Sequence, residues 1–156
     1  NNGPEHFTRA GLINMAQKQY WHRKMMWYGP SGIGTTRGLD GFVDHHQLPF
    51  RLAFPNRIAT LPPAERDVLM RQHNAGHYIR VGDGKYTVTG GWPSVVAPHD
   101  GPFLGVQPTG NMIEMRVMDF YLHHEGLIRE NWVPIDIIHM LLQMDVDVLA
   151  SIRRDN

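Results

Sequence analysis

The chain has no cysteine among its 156 residues. That excludes disulfides, thiolate metal centres and a cysteine nucleophile, and it is compatible with a reducing cytoplasm, the compartment expected here. An excess of either charge is also lacking. Fifteen Lys and Arg balance 15 Asp and Glu, so no global field recruits nucleic acid or an anionic membrane. No apolar run approaches the roughly 20 residues that cross a bilayer, and no signal peptide is recognisable. Internal repeats and low-complexity segments are missing too. The glycine-rich stretch "GPSGIGTTRG" lacks the Gly-Lys-Ser/Thr ending of a phosphate loop and reads as a turn at a pocket rim. Ser31, Ser94 and Ser151 lack the G-x-S-x-G setting of an activated nucleophile. The first residues are Asn-Asn-Gly-Pro, so the chain is expected to be trimmed or part of a longer protein.

What remains is an ordinary globular composition, 42% hydrophobic, of a length that fits a single domain over residues 1–156. The spacing of Leu12, Ala16 and Tyr20 predicts a helix over 8–21. A second helix is expected over 38–54, bent near Pro49. "KYTVTGGWPSVVA" is β-rich, with Tyr86, Val88, Trp92 and Val96 on one parity. "GNMIEMRVMDFYL" and "GLIRENWV" make two further strands, and Ile137, Leu141, Met144 and Val148 line one stripe of a last helix. Helices first and a meander of strands later indicate an α+β fold with an antiparallel sheet.

Asp119 stands out. Odd positions Ile113, Met115, Val117, Asp119 and Tyr121 share one strand face, while Met118, Phe120 and Leu122 share the other. Both faces are largely apolar, so Asp119 is expected to line an interior surface. A three-residue hairpin loop with Gly126 in the left-handed conformation places Asp119 opposite Asn131 and Val117 opposite Val133. Desolvation raises a buried carboxylate's pKa, the condition for a general base near neutral pH. The alternative is a structural ion pair with Arg129 or Arg116.

Ten histidines are many for this length. His45 and His46 are adjacent and would point about 100° apart on a helix, which does not suit one metal. His73 and His77 have helical metal spacing, but Gly76 argues against a helix there. No metal site is expected. Trp27, Tyr28, Trp92, Phe103 and Trp132 read as core or pocket lining. Asp136 follows Pro134 at the start of the last helix, where capping explains it.

"GPFLGVQPTGNMIEMRVMDFY" followed by "EGLIRENWVPID" resembles the SnoaL-like polyketide cyclases and related ester cyclases. His99, Gly101, Phe103, Gly105, Pro108, Thr109 and Gly110 match the family's turn. Gly126, Ile128, Glu130, Trp132 and Asp136 match the segment after it, and "WYGP", "GLDGF" and "AFPNR" resemble its first half. The resemblance implies a nuclear transport factor 2-like cone: a curved antiparallel sheet with helices enclosing a pocket, usually dimerising through the sheet. In the cyclases an Asp directly after the Trp and a His on the preceding strand do the acid/base work. Here Val133 stands at the Asp position and Asp119 at the His position.

These readings combine into one expectation: cofactor-independent acid/base chemistry on a carbonyl-containing small molecule in an apolar pocket, of the cyclase or isomerase type. Asp119 and His99 are the candidate catalytic residues, and Trp27, His46, Trp92, Tyr121, Asn131 and Val133 the candidate substrate contacts. Neither metal nor organic cofactor is expected. The partners expected are a small-molecule ligand and a second copy in a homodimer, with no nucleic acid and no membrane. The rival is a non-catalytic binding or dimerisation module on the same fold.

Overall fold

A computed structural model describes residues 4–15 and 18–154. Six strands form one curved sheet, not closed into a barrel, in the order β2-β1-β6-β5-β4-β3. This is the expected α+β cone. The strands are β1 (Trp21–Tyr28), β2 (Thr35–Arg37), β3 (Ile79–Asp83), β4 (Tyr86–Pro98), β5 (Met112–His124) and β6 (Leu127–Trp132). The helices are α1 (Arg9–Met15), α2 (Gly38–Phe42), α3 (Leu48–Ala53), α4 (Pro63–Gln72), α5 (Ile137–Gln143) and α6 (Ala150–Arg154). Among the described residues no helix is long and apolar enough to cross a membrane.

β3 to β6 form the expected antiparallel meander. The pairing of β1 with β6 is parallel, which the sequence reading did not anticipate. A parallel neighbour needs a long crossover, and everything between β1 and β6 serves as one. Its consequence is local: Trp27 lies beside Asn131, and Asn131 beside Tyr121, in one row across the sheet. Residues 25–28, "MMWY", read in the sequence as an apolar patch leading into the glycine-rich loop, but they belong to β1, whose register with β6 is irregular between Trp21 and Met26.

Residues 38–53 are helical throughout, but the irregularity precedes Pro49. A π-helical turn, Val43–Gln47, joins α2 to α3. Proline has no N–H to give and its ring crowds the carbonyl four residues back, so the preceding turn widens. Phe42, His46, Phe50 and Phe54 recur every fourth residue and form a continuous row of ring contacts, with centroids 5.3, 6.0 and 5.3 Å apart. This row faces the sheet.

Two expected helices are shorter than predicted. α1 ends at Met15, Ala16 lies outside the described residues, and Tyr20 sits in a short 3-10 turn, Lys18–Tyr20. α5 ends at Gln143; Met144 caps it and Asp145 takes a positive φ, so Val148 falls beyond it. α4 was not expected from the sequence; Pro63 occupies its first turn, where the missing N–H costs nothing.

The β5–β6 hairpin differs from its expected register. His124 pairs with Leu127, so the loop is the two residues Glu125 and Gly126, both at positive φ. The register then shifts by one between Leu122 and His123. Together these changes move the pairing by two, setting Tyr121 rather than Asp119 opposite Asn131. Because side chains alternate with a period of two, a two-residue error preserves the faces.

Candidate active-site cavity

Between the inner face of the sheet and the row of aromatic rings lies a cavity of about 230 Å³. Its walls differ in character. One is aromatic: Trp27 from β1, Phe42, His46 and Phe50 from the helical segment, and Phe103 from the loop between β4 and β5. The other carries the polar groups: Ser94 from β4, Asp119 and Tyr121 from β5, Asn131 from β6, and His77 from the loop ahead of β3.

The alternation of β5 sends Met115, Val117, Asp119 and Tyr121 to the cavity together. Asp119 is half-buried, and the Asn131 amide approaches its Oδ1 at 3.5 Å while also donating to the Phe120 carbonyl at 3.2 Å. Burial raises the Asp119 pKa, opposed by hydrogen bonds from Asn131 and Tyr121 and by the charge of His77. Burial likewise raises the Tyr121 phenol, helped by the adjacent carboxylate, so it stays protonated and donates to Asp119.

The arginines considered as partners are occupied elsewhere. Arg116 donates to Asp136 at 3.1 Å, and Arg129 donates to the Lys24 carbonyl. Among the described residues Asp119 forms no salt bridge. A carboxylate desolvated without a neutralising cation in contact binds a proton more readily than one in water, which suits general base work.

His46 stacks on Trp27, centroids 4.0 Å apart and planes inclined by 17°. Burial pushes its pKa down to about 4, so the ring is neutral at physiological pH. Its Nδ1 is buried without a hydrogen-bond partner. The aromatic wall is therefore a flat, uncharged surface with one unused polar atom.

Of the candidate residues, Asp119, Trp27, His46, Tyr121, Asn131 and Val133 line the cavity; His99 and Trp92 do not. His99 is fully buried (0% exposed) behind the wall, packed against Phe54. Its Nδ1 meets the Thr109 hydroxyl at 3.1 Å, and its backbone ties to Asn111 and Gly110. It clamps the 99–111 turn, and burial lowers its pKa. Trp92 is 48% exposed on the outer face, with the Arg116 guanidinium over its ring at 5.5 Å. The expected substrate contact at Trp92 fails because it lies in the irregular stretch between Gly91 and Val95, after Tyr86 and Val88, whose neighbours Thr87 and Thr89 pair with the inward Tyr121 and Asp119. Val96, beyond that stretch, is buried (1% exposed).

His77, Gln47, Phe42, Phe50 and Ser94 were missed. The spacing of four from Phe42 to Phe54 was available as a signal. For His77 none was, because its position depends on how a loop seats on a distant strand. His73, its partner in the helical metal spacing, instead bonds Glu114 at 2.7 Å. No group of three or more His, Asp or Glu side chains suited to a metal occurs among the described residues.

The likeness expected from the motifs is found in comparisons with known proteins. The family described as SnoaL-like polyketide cyclase matches residues 94–144, the stretch that contains β5, β6 and α5. Among solved structures, a candidate SnoaL-like polyketide cyclase from Jannaschia sp. CCS1 superposes with a TM-score of 0.63 at 14% identity, over 88% of this chain and 78% of that one. IdmH, a candidate polyketide cyclase from Streptomyces antibioticus, gives 0.59 at 21% identity, over 86% and 91%. AclR from Streptomyces galilaeus, a candidate hydroxylase, gives 0.58 at 17% identity, over 94% and 79%. At these identities the likeness establishes the fold. No curated protein matches by sequence.

Proposed function

We propose that this protein is a SnoaL-like enzyme that carries out acid/base chemistry on a carbonyl-containing small molecule held in the cavity. Asp119 takes a proton from carbon next to the carbonyl. Tyr121 and Asn131 orient the carboxylate and the substrate, and Trp27 with His46 supplies a flat surface for a planar ring. Such proton transfer requires neither a metal nor an organic cofactor. The observation that carries this reading is Asp119 itself: a carboxylate on the cavity wall, raised in pKa by burial and unpaired with any arginine. A second copy covering the outer face of the sheet completes the proposal.

Val133 favours a second reading. It lines the cavity where the cyclases resembled here have their acid/base Asp, and its absence suits a module that binds without turnover. Deuterium uptake from heavy water into a panel of aryl ketones, including 2-tetralone, followed by mass spectrometry, separates the two. The enzyme reading expects exchange that Asp119→Asn lowers by about 10²–10⁴-fold with little change in ketone affinity. Binding without exchange for every ketone supports the binding module.

A further inference from the structure

His77 shares the polar wall with Asp119, and three observations place them together. Both line the cavity. Thr89 pairs directly with Asp119 across β4 and β5, so their side chains share the inner face. The His77 Nδ1 meets the Thr89 hydroxyl at 3.3 Å. The loop is seated by a close approach: Gly76 N–H donates to the Pro93 carbonyl at 3.1 Å, and a Cβ on Gly91 would fall 1.8 Å from the Gly76 oxygen. Only glycine at 91 allows the loop to sit this low on the β4 bulge, and that brings the next residue, His77, to Thr89.

We propose that His77 and Asp119 form a proton-transferring pair across the cavity mouth, His77 delivering a proton to the carbonyl oxygen while Asp119 removes one from carbon. This rests on the function proposed above and names its second proton carrier. Asp119 takes the proton from the α-carbon; the C–H electron pair moves into the adjoining C–C bond and the carbonyl π pair onto oxygen. The His77 imidazolium gives that oxygen its Nε2 proton while Nδ1–H stays on Thr89. The enol product leaves Asp119 as the neutral acid and His77 as the neutral ring. Reversal at the same or a conjugated carbon restores both.

The charge environment suits the assignment. His77 is exposed to solvent. Arg80 donates to its backbone carbonyl at 3.1 Å, anchoring the loop from the far side. Among the groups acting on Asp119, His77 is the one cation; the others are burial and the hydrogen bonds from Asn131 and Tyr121. The role assigned at first to His99 thus falls to a histidine that reaches the cavity.

The first test needs no substrate. Carboxylate ¹³C NMR of aspartate-labelled protein follows Asp119, identified by its loss in Asp119→Asn. In His77→Gln, which removes the opposing cation, the Asp119 midpoint should rise by about half a pH unit or more; in His77→Lys, which keeps a charge, it should not. An Asp119 midpoint unchanged in His77→Gln overturns the pairing. The second test uses deuterium exchange into 2-tetralone. His77→Gln should lower kcat by about 10²-fold with little change in KM and remove one limb of the pH–rate profile. Exchange abolished by Asp119→Asn but untouched by His77→Gln overturns the donor role and leaves Asp119 acting without it. Absence of exchange in the wild-type protein counts against the proposed function, while the NMR result still decides whether the side chains are coupled.

Discussion

Burial acts on Asp119 and His46 in opposite directions, since it disfavours whichever form carries charge. The Asp119 pKa is raised in the folded protein, so its contribution to stability is fully present below the unfolded value and is lost as pH rises through the folded pKa. Asp119→Asn should therefore melt at or above the wild-type temperature at pH 8, and the difference should shrink toward pH 4, as read by circular dichroism across that range. A buried Arg–Asp pair would give the reverse, a variant less stable at pH 8, because one charge would lose its partner. For His46 the folded value is pushed down to about 4, below the roughly 6.5 of an unfolded histidine. The unfolded chain thus binds more protons between those values, and stability falls as pH drops from about 6.5 toward 4. His46→Phe keeps a ring against Trp27 but has nothing to protonate. It should flatten the acid limb of the melting-temperature profile while leaving the neutral plateau within about 1.5 kcal/mol.

Elements that depend on local rules were legible in the sequence, and those that depend on distant packing were not. β5 could be oriented because a period of two fixes which side chains share a face, and that placed Asp119, Tyr121 and Asn131 in one wall even though the register was off by two. α4 was invisible because "PPAERDVLMRQ" has no apolar stripe, and none of its residues is buried. His77 was unreadable for the same reason at loop level. Its place is set by Gly76 and Gly91 meeting across the bulge. The β5–β6 turn offers a direct check, since a two-residue loop with positive φ at both positions favours Asn-Gly. Gly126→Ala should cost about 1 kcal/mol and Glu125→Asn should be stabilising by a few tenths; a three-residue loop would leave position 125 indifferent. Asp136 is the other local rule that held: its Oδ1 accepts from the His139 N–H at 3.1 Å and its Oδ2 from Arg116. Burial opposes the charged form, but these two donors outweigh it and lower the pKa. Asp136→Ala should lose about 1 kcal/mol by denaturant titration, and Asp136→Asn only part of that.

For the molecule as a whole, the outer face of the sheet is where the structure is least self-sufficient. One cross-strand row runs Val81, Val88, Phe120, Trp132 and Tyr28 from β3 to β1. Tyr28 and Trp132 stack at 5.7 Å, yet Phe120 remains 40% exposed and Val81 60%. Tyr86, also outward, is exposed beside them. The helical segment 38–53 and α5 lie on the inner face, where Phe42, His46, Phe50 and Met140 wall the cavity. A contiguous apolar strip of this kind is uncommon on a monomer, and an extended sheet face is self-complementary under a two-fold axis, since each copy offers the same strip. A homodimer through this face is therefore expected, with Phe120 at its centre. Sedimentation at micromolar concentration should give twice the mass of the chain. Phe120→Lys paired with Val81→Lys should give the monomer, because two lysines per copy would be desolvated against their own images. The monomeric variant should keep the cavity and its ketone exchange, since neither substituted side chain lines the cavity. A wild-type protein that sediments as a monomer at this concentration would mean that the row is tolerated in water, and the reason for its length would then lie in a different partner.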